Sequence, residues 1–370
     1  MILESHGDAC RLGYLRLIAC LLEDGSQRSF DFLASVLYDM LRNLEFYEPL
    51  TQKPTGLITR YVNARNYVTL AAEMGFIDRA SQTIGEFGKI YLCLDSADKF
   101  RGFVEGRSIP SLNDIITLND AEKFFFLWVL LNRDYPMIQH VLRWIIEKRS
   151  FTRQEAMNQI MEEFYPISLR KVLSTLNGRR REQIMREIEE AEGFRKRRLQ
   201  MGDKISWIKS SQYAKYRHIA PPRLEWLVDC GILKRIGRGK YEIRENYLKS
   251  RTEILKLISL KPAKLDNHFF NEFVKLFSKS FSTANRYEIL KTMIEVYERL
   301  RTLFGDEVNL STLEYLTILV LMERGKFADL KMIHGSFNSL ALKFPDKIYV
   351  IPGRKKNMNI AYINVEEIEV

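Results

Sequence analysis

Pro222-Arg-Leu-Glu-Trp-Leu-Val-Asp-Cys-Gly231-Ile-Leu-Lys-Arg235, followed by Ile-Gly-Arg and Gly239-Lys240-Tyr-Glu-Ile243, is the stretch on which the reading of this 370-residue chain turns. Its first half reads as an amphipathic helix that ends on a glycine, the residue that most readily supplies a left-handed C-cap. Ile232-Leu233 then seeds a strand. Gly239 marks the far side of a hairpin turn, and Tyr241-Glu242-Ile243 returns as the partner strand. A near copy lies upstream: Asn63-Ala-Arg-Asn-Tyr-Val-Thr-Leu70-Ala-Ala-Glu-Met-Gly75-Phe-Ile-Asp-Arg79, then Gly88-Lys89-Ile-Tyr-Leu-Cys-Leu94. By the same rules it predicts a helix to Gly75, a strand at Phe76-Ile77 and a return strand over Ile90-Tyr91-Leu92.

Further helices should precede each copy. Arg11 to Leu22 and Ser29 to Leu44 carry apolar residues at helical spacing before the first copy. Asp120 to Asn132 and Met137 to Glu147 do so before the second, separated from it by a long helical insertion. A third, weaker copy ends the chain. Helices are expected at Leu313 to Met322, Phe327 to Ile333 and Ser336 to Lys343, then a hairpin of Lys347 to Ile351 with Asn359 to Asn364 around a basic turn. Asn267 to Ser278 and Asn285 to Leu303 read as a two-helix connector or dimerisation hairpin.

These patterns resemble the winged-helix superfamily of helix-turn-helix proteins. The resemblance covers about half the chain, in three patches, and rests on residue classes that many DNA-binding regulators and DNA-recognition modules share. It implies a mainly α fold with small β-hairpin wings, in tandem winged-helix domains joined by helical connectors. The expected divisions are an N-terminal domain over 1–105, a second over 106–255 with an inserted basic arm at 166–205, a connector over 256–305 and a third domain over 306–370.

Charge gives the function class. The chain carries 57 basic and 47 acidic residues, a net +10. The segment from Arg170 to Lys240 holds 19 basic against 8 acidic residues, so the whole excess sits in one block. Such a block suggests a surface for a polyanion, with nucleic acid ahead of an anionic membrane. No apolar run approaches a membrane span, the longest being Phe124 to Leu131, and the start of the sequence lacks a signal-like region. A cytoplasmic, nucleoid-associated protein is expected. The four cysteines form no CxxC pair, so neither a disulfide framework nor a thiolate zinc site is supported.

Within the block, Gly178 to Leu199 reads as one long helix whose ends carry the charge: Arg179, Arg180 and Arg181 at one, Arg195, Lys196, Arg197 and Arg198 at the other. Carboxylates in the middle make i,i+4 pairs an alternative to phosphate gripping. The candidates continue with Lys215, Arg217, Lys234, Arg235 and Lys240. Pro221-Pro222 fits the first turn of a recognition helix, which places Arg223 at its DNA-facing end. Arg238 falls at the wing tip, suited to a phosphate or minor-groove contact. In the first unit Arg60, Asn63, Arg65 and Asn66 suit readout of base edges, although polar residues at a helix start are also ordinary caps. In the third, Arg354, Lys355 and Lys356 form a candidate backbone clamp.

Signs of catalysis are sparse. There is no phosphate-binding loop, HExxH or GxSxG motif, and the five histidines are dispersed. His140-Val-Leu-Arg143 matches a short element of tyrosine recombinases, and Arg133 with His140 matches an element of HEPN ribonucleases; Pro136 suits the start of a new helix, which would part that second pair. No cofactor and no metal are expected. The leading expectation is therefore a non-catalytic nucleic-acid-binding protein, duplex DNA first, acting as a homodimer or with a partner protein. The alternatives are a recognition subunit or nuclease of a restriction or defence system, and a winged-helix interaction scaffold.

Overall fold

In the computed structural model, which describes residues 1–3, 6–47, 56–201, 203–353 and 359–364, both marked glycines close their helices as expected. Helices α1 (Tyr14–Leu21), α2 (Phe30–Tyr47) and α3 (Tyr61–Glu73) open the chain. Past α3, Gly75 takes φ +78°; its N–H bonds the Ala72 carbonyl and the Phe76 N–H reaches back to Ala71. Gly231 takes φ +73° with the same two bonds, Gly231 to Val228 and Ile232 to Leu227. Each is a Schellman cap, and each turns the chain sharply out of its helix.

Beyond the caps the two copies diverge. After Gly75 there is no wing: Ile77 pairs with Ile84 by a single bridge, and the expected return strand is helix α4 (Glu86–Leu92). Phe87, Ile90 and Tyr91 are buried at helical, not alternating, spacing. Gly88 is a close-approach glycine and not a turn glycine, because a Cβ there would sit 2.7 Å from the Phe76 carbonyl oxygen. Helices α5 (Ala97–Val104) and α6 (Leu112–Ile116) complete this region.

The middle region begins with α7 (Asp120–Arg133) and α8 (Tyr135–Lys148), close to their expected bounds. A short strand β1 (Ser150–Thr152) then leads into α9 (Arg153–Gln159), a π-helical turn (Ile160–Phe164) and α10 (Tyr165–Leu173). The arm expected as one helix is broken at Gly193 into α11 (Gly178–Glu192) and α12 (Phe194–Gln200), followed by α13 (Lys204–Lys209). Helix α14 (Ser211–Asp229) is far longer than expected: Pro221 and Pro222 lie inside it. It feeds β2 (Leu233–Gly237) and β3 (Lys240–Ile243), the hairpin the sequence predicts, with β1 as an unforeseen third strand. The sheet is antiparallel in the order β1-β3-β2.

A run of short helices comes next, α15 (Glu245–Lys249), α16 (Arg251–Leu257), α17 (Pro262–His268), a π-helical turn (Phe269–Phe273) and α18 (Val274–Phe277), then a two-residue strand β4 (Ser282–Thr283). The last region is α19 (Arg286–Phe304), β5 (Val308–Asn309), α20 (Leu310–Glu323), β6 (Lys326–Phe327), α21 (Leu330–Lys343), β7 (Ile348–Pro352) and β8 (Asn359–Ile363). The two helices expected over Phe327 to Lys343 are one, α21. Strand β6 pairs with β4 in parallel. The second three-stranded sheet has the order β5-β8-β7, also antiparallel, so first, third and second strands fall in the same sequence in both sheets.

The molecule is mainly helical with a few small sheets, and one apolar cluster runs from Ile2 to Ile363. Helix α7 is its pivot. It is apolar all round because it is enclosed: Phe87 packs edge-on against Trp128, Phe124 stacks on Phe269 at 4.2 Å, and Trp128 meets Tyr315 of α20. Among the described residues no helix is long and apolar enough to cross a membrane.

Candidate nucleic-acid interface

The basic block divides into residues that are spent on the fold and residues that face water. Arg223 is spent. It is fully buried, its Nε 2.7 Å from Asp134 and its Nη2 2.7 Å from the Ile2 carbonyl, so it does not reach solvent as its expected place at a helix start required. Its Nη1 also donates to the Ile219 carbonyl, a turn behind it beside the two prolines. Lys215 bridges Glu187 and Glu190 of α11 at 2.7 and 2.6 Å. Burial opposes the charge of that ammonium, but the two hydrogen bonds outweigh it and raise its pKa.

The arm is fastened in the same way at further points. Arg198 pairs with Glu162, whose other partner is the Tyr216 hydroxyl at 3.1 Å; the hydrogen bond to Glu162 is the main reason the Arg198 pKa rises. Arg170 pairs with Glu192, Arg181 donates to the Leu173 carbonyl, and Arg197 donates to the Glu190 carbonyl. On the hairpin, Arg235 pairs with buried Glu225, and Lys234 crosses to Glu242 at 2.7 Å. Much of the excess positive charge is thus answered by carboxylates, several of them outside the block.

Of the candidate cations in the block, seven stay exposed with neither an ion pair nor a hydrogen bond to a carbonyl among the described residues: Arg179, Arg180, Arg195, Lys196, Arg217, Arg238 and Lys240; Lys171, Arg186 and Lys209, which are not among the candidates, are exposed without an ion pair as well. Arg238 sits in the β2–β3 turn. Beside that turn lies Arg153, whose N–H donates to the Gly239 carbonyl at 2.7 Å, and Thr152, which faces Lys240 in the ladder. Sequence reasoning misses Arg153 because it misses β1 and α9. A signal for them exists: Thr152 and Glu155 form the reciprocal capping box of a helix start.

In the first unit most of the candidate face is structural. Asn63 is buried: its Oδ1 takes the Arg60 N–H, and its Nδ2 donates to Asp8 at 3.0 Å. Arg65 is held by Asp31 at 3.1 Å over the Phe30 ring. Asn66 is half-buried and Arg60 exposed. Arg354, Lys355 and Lys356 lie outside the described residues. Instead, the third region presents Lys331, His334 and Asn338 on the open side of α21, whose other face buries Ile333, Ser336, Phe337 and Leu340. Dividing α21 in two hides that stripe, although its i, i+3, i+7 spacing is legible in the sequence. His334 is oriented from behind by Glu314, Nδ1 to Oε1 2.6 Å, and burial raises the Glu314 pKa while the histidine works the other way.

The catalytic lookalikes do not assemble. Arg133 ends α7 and donates to the Glu73 carbonyl, whereas His140 lies inside α8 stacked against Phe164. A cavity of about 530 Å³ between α4, α19 and the start of α20 mixes Lys89 with Asp78, Glu86 and Glu307, and none of the basic candidates lines it. The chain matches no protein-family model, no curated protein and no solved structure.

Proposed function

We propose that this protein binds nucleic acid, duplex DNA first, through two winged-helix-type units, and carries no chemistry of its own. The middle unit runs α8, β1, α9, α14, β2, β3; the last runs α19, β5, α20, α21, β7, β8. That order of helix, strand, helices and hairpin, with the third strand in the centre, is the order of a winged helix, and the arm α11–α13 is then an insertion before the recognition helix of the first of them. The observation that carries the reading is the β2–β3 hairpin. Arg238 in its turn and Lys240 at the start of β3 stand in solvent, uncompensated among the described residues, while the neighbouring Lys234 and Arg235 are paired. A wing with free cations at its tip and spent cations at its root is built to meet phosphates.

Fluorescence anisotropy on a labelled duplex across a salt series tests this. Binding should weaken steeply with salt, and Arg238→Gln with Lys240→Gln should lower the slope of log affinity against log salt by about two, roughly one for each phosphate no longer neutralised. No binding at low salt, or an affinity that salt does not change, overturns the reading. Metal-dependent cutting of the duplex would favour a nuclease instead.

A further inference from the structure

The far end of the arm departs from the pattern of a phosphate grip. Phe194 of α12 and Trp207 of α13 both pack on the Tyr216 ring of α14, with centroids 5.5 and 5.0 Å away, so the two short helices lie side by side over one anchor. Their outward residues are aliphatic: Leu199 is 66%, Ile205 67% and Ile208 46% exposed. Arg195, Lys196 and Lys209 stand exposed among them. Exposed aliphatic side chains bordered mainly by positive charge, with Asp203 the one exposed acidic residue of the segment, mark an interaction surface, and aliphatic groups offer a base no face to stack on.

A second, independent sign lies underneath. Trp207 is 7% exposed, yet its indole N–H has no hydrogen-bond partner among the described residues, and neither do the buried Arg197 Nε and Gln212 Oε1. Three of the six such atoms among the described residues therefore fall between Arg197 and Gln212. Native structures leave few buried polar atoms unanswered, so a cluster of them points to a surface completed by something else.

We propose that α12 and α13 form a docking surface for an acidic amphipathic helix of another protein. Its apolar face would cover Leu199, Ile205 and Ile208, and its carboxylates would face Arg195, Lys196 and Lys209. The occupant is chosen by charge: between Phe194 and Lys209, Arg198 is paired with Glu162 and Arg197 bonds the Glu190 carbonyl, but Arg195, Lys196 and Lys209 stand exposed against a single acidic residue, Asp203. The aliphatic centre favours a helix over a nucleic acid, and the surface goes beyond the nucleic-acid reading above without depending on it.

Fluorescence polarisation with the full chain tests it, using a labelled helical peptide that carries leucine on one face and glutamate on the other. The peptide should bind, and Leu199→Asp with Ile205→Asp should weaken it by about tenfold or more while the melting temperature stays put, since both residues are exposed. A matched peptide with lysine in place of glutamate should not bind. Failure of the acidic peptide to bind, or equal affinity for wild type and the double variant, overturns the proposal. So does binding of phosphatidylserine vesicles or single-stranded DNA that the double variant abolishes while the acidic peptide is indifferent to it.

Discussion

The two three-stranded units share strand order and sense, yet they are held by different forces. In the middle unit charges run through the core: Arg223 with Asp134, and Arg11 with Asp229 and Glu225. In the last, Glu314 is the one buried charged residue among those described, and it reaches an exposed histidine. The cause is what covers each unit. Helix α14 is overlaid by backbone: the Ile2 N–H donates to Asp134, the Leu12 N–H to Asp229, and the Trp226 indole donates to the Ala9 carbonyl. Buried peptide groups need partners, and charged side chains supply them. Helix α21 is covered by side chains of α19 and α20, which ask for nothing polar.

Removing one member of a buried pair leaves the other stranded, so the middle unit should be the more fragile of the two. Arg223→Met is expected to cost about 3–5 kcal/mol in urea unfolding, because Asp134 stays behind without its guanidinium. Adding Asp134→Asn should recover part of that loss, since the amide oxygen can still accept the Ile2 N–H. The counterpart in the last unit, Glu314→Gln, should cost under about 1 kcal/mol, because its partner His334 is exposed and an amide can keep the hydrogen bond. Similar losses in both units would sink the idea that charge placement separates them.

Much of the frame was legible because it rests on local rules. The caps at Gly75 and Gly231 and the long periodic helices arise from residues within a turn of one another, and both hairpins from strands that follow each other in the chain. The failures share a cause of another kind. Gly88 resembled a turn glycine, but the Phe76 carbonyl that demands it lies twelve residues away. Pro221-Pro222 resembled a helix start, since a double proline inside a helix is unfavourable unless the surroundings hold the helix, as the bonds of Ile2, Gly7, Ala9 and Arg11 to α14 do here. Arg223 resembled a ligand for phosphate because its partner Asp134 is 89 residues distant. Net charge located the basic block correctly and could not say which of its members were already answered.

An effect of intermediate size concerns the overlay itself. The Gly7 N–H donates to Nδ1 of His218 at 2.9 Å, which requires that nitrogen to be unprotonated. Burial, then the neighbouring His6 and Arg217, hold the His218 pKa below its usual 6.5. A histidine whose folded pKa is depressed contributes stability that is fully present above the unfolded value of 6.5 and is lost as the pH falls from there through the lower folded value. Protection of the Gly7 amide from hydrogen exchange, corrected for the intrinsic rate, should therefore drop between about pH 7 and pH 5. His218→Gln should flatten that dependence. The backbone amides of α21, none of which donates to a histidine ring among the described residues, should show no matching change, and an equal drop there would mean a general loosening rather than release of one segment.

The smallest effect separates the two hairpins. Across β2 and β3 the facing pair is Lys234 and Glu242, both well exposed; across β7 and β8 it is Tyr349 on Tyr362, with centroids 5.1 Å apart and rings 17° from parallel. Both pairs should contribute about 0.2–1 kcal/mol in double-mutant cycles at low salt. They should then part company. At about 1 M salt, where the screening length shrinks to roughly 3 Å, the ionic coupling should fall toward zero, while the aromatic one, being packing and quadrupole contact, should hold. Because the proposed phosphate contacts sit at the tip of the ionic hairpin, this cycle also sets a baseline: part of the salt dependence of the proposed DNA binding would come from the hairpin's own cross-strand pair. Lys234→Gln should remove that part from the binding slope without removing the contribution of Arg238 and Lys240, and a slope that collapses with Lys234 alone would place the phosphate contact at the root of the hairpin.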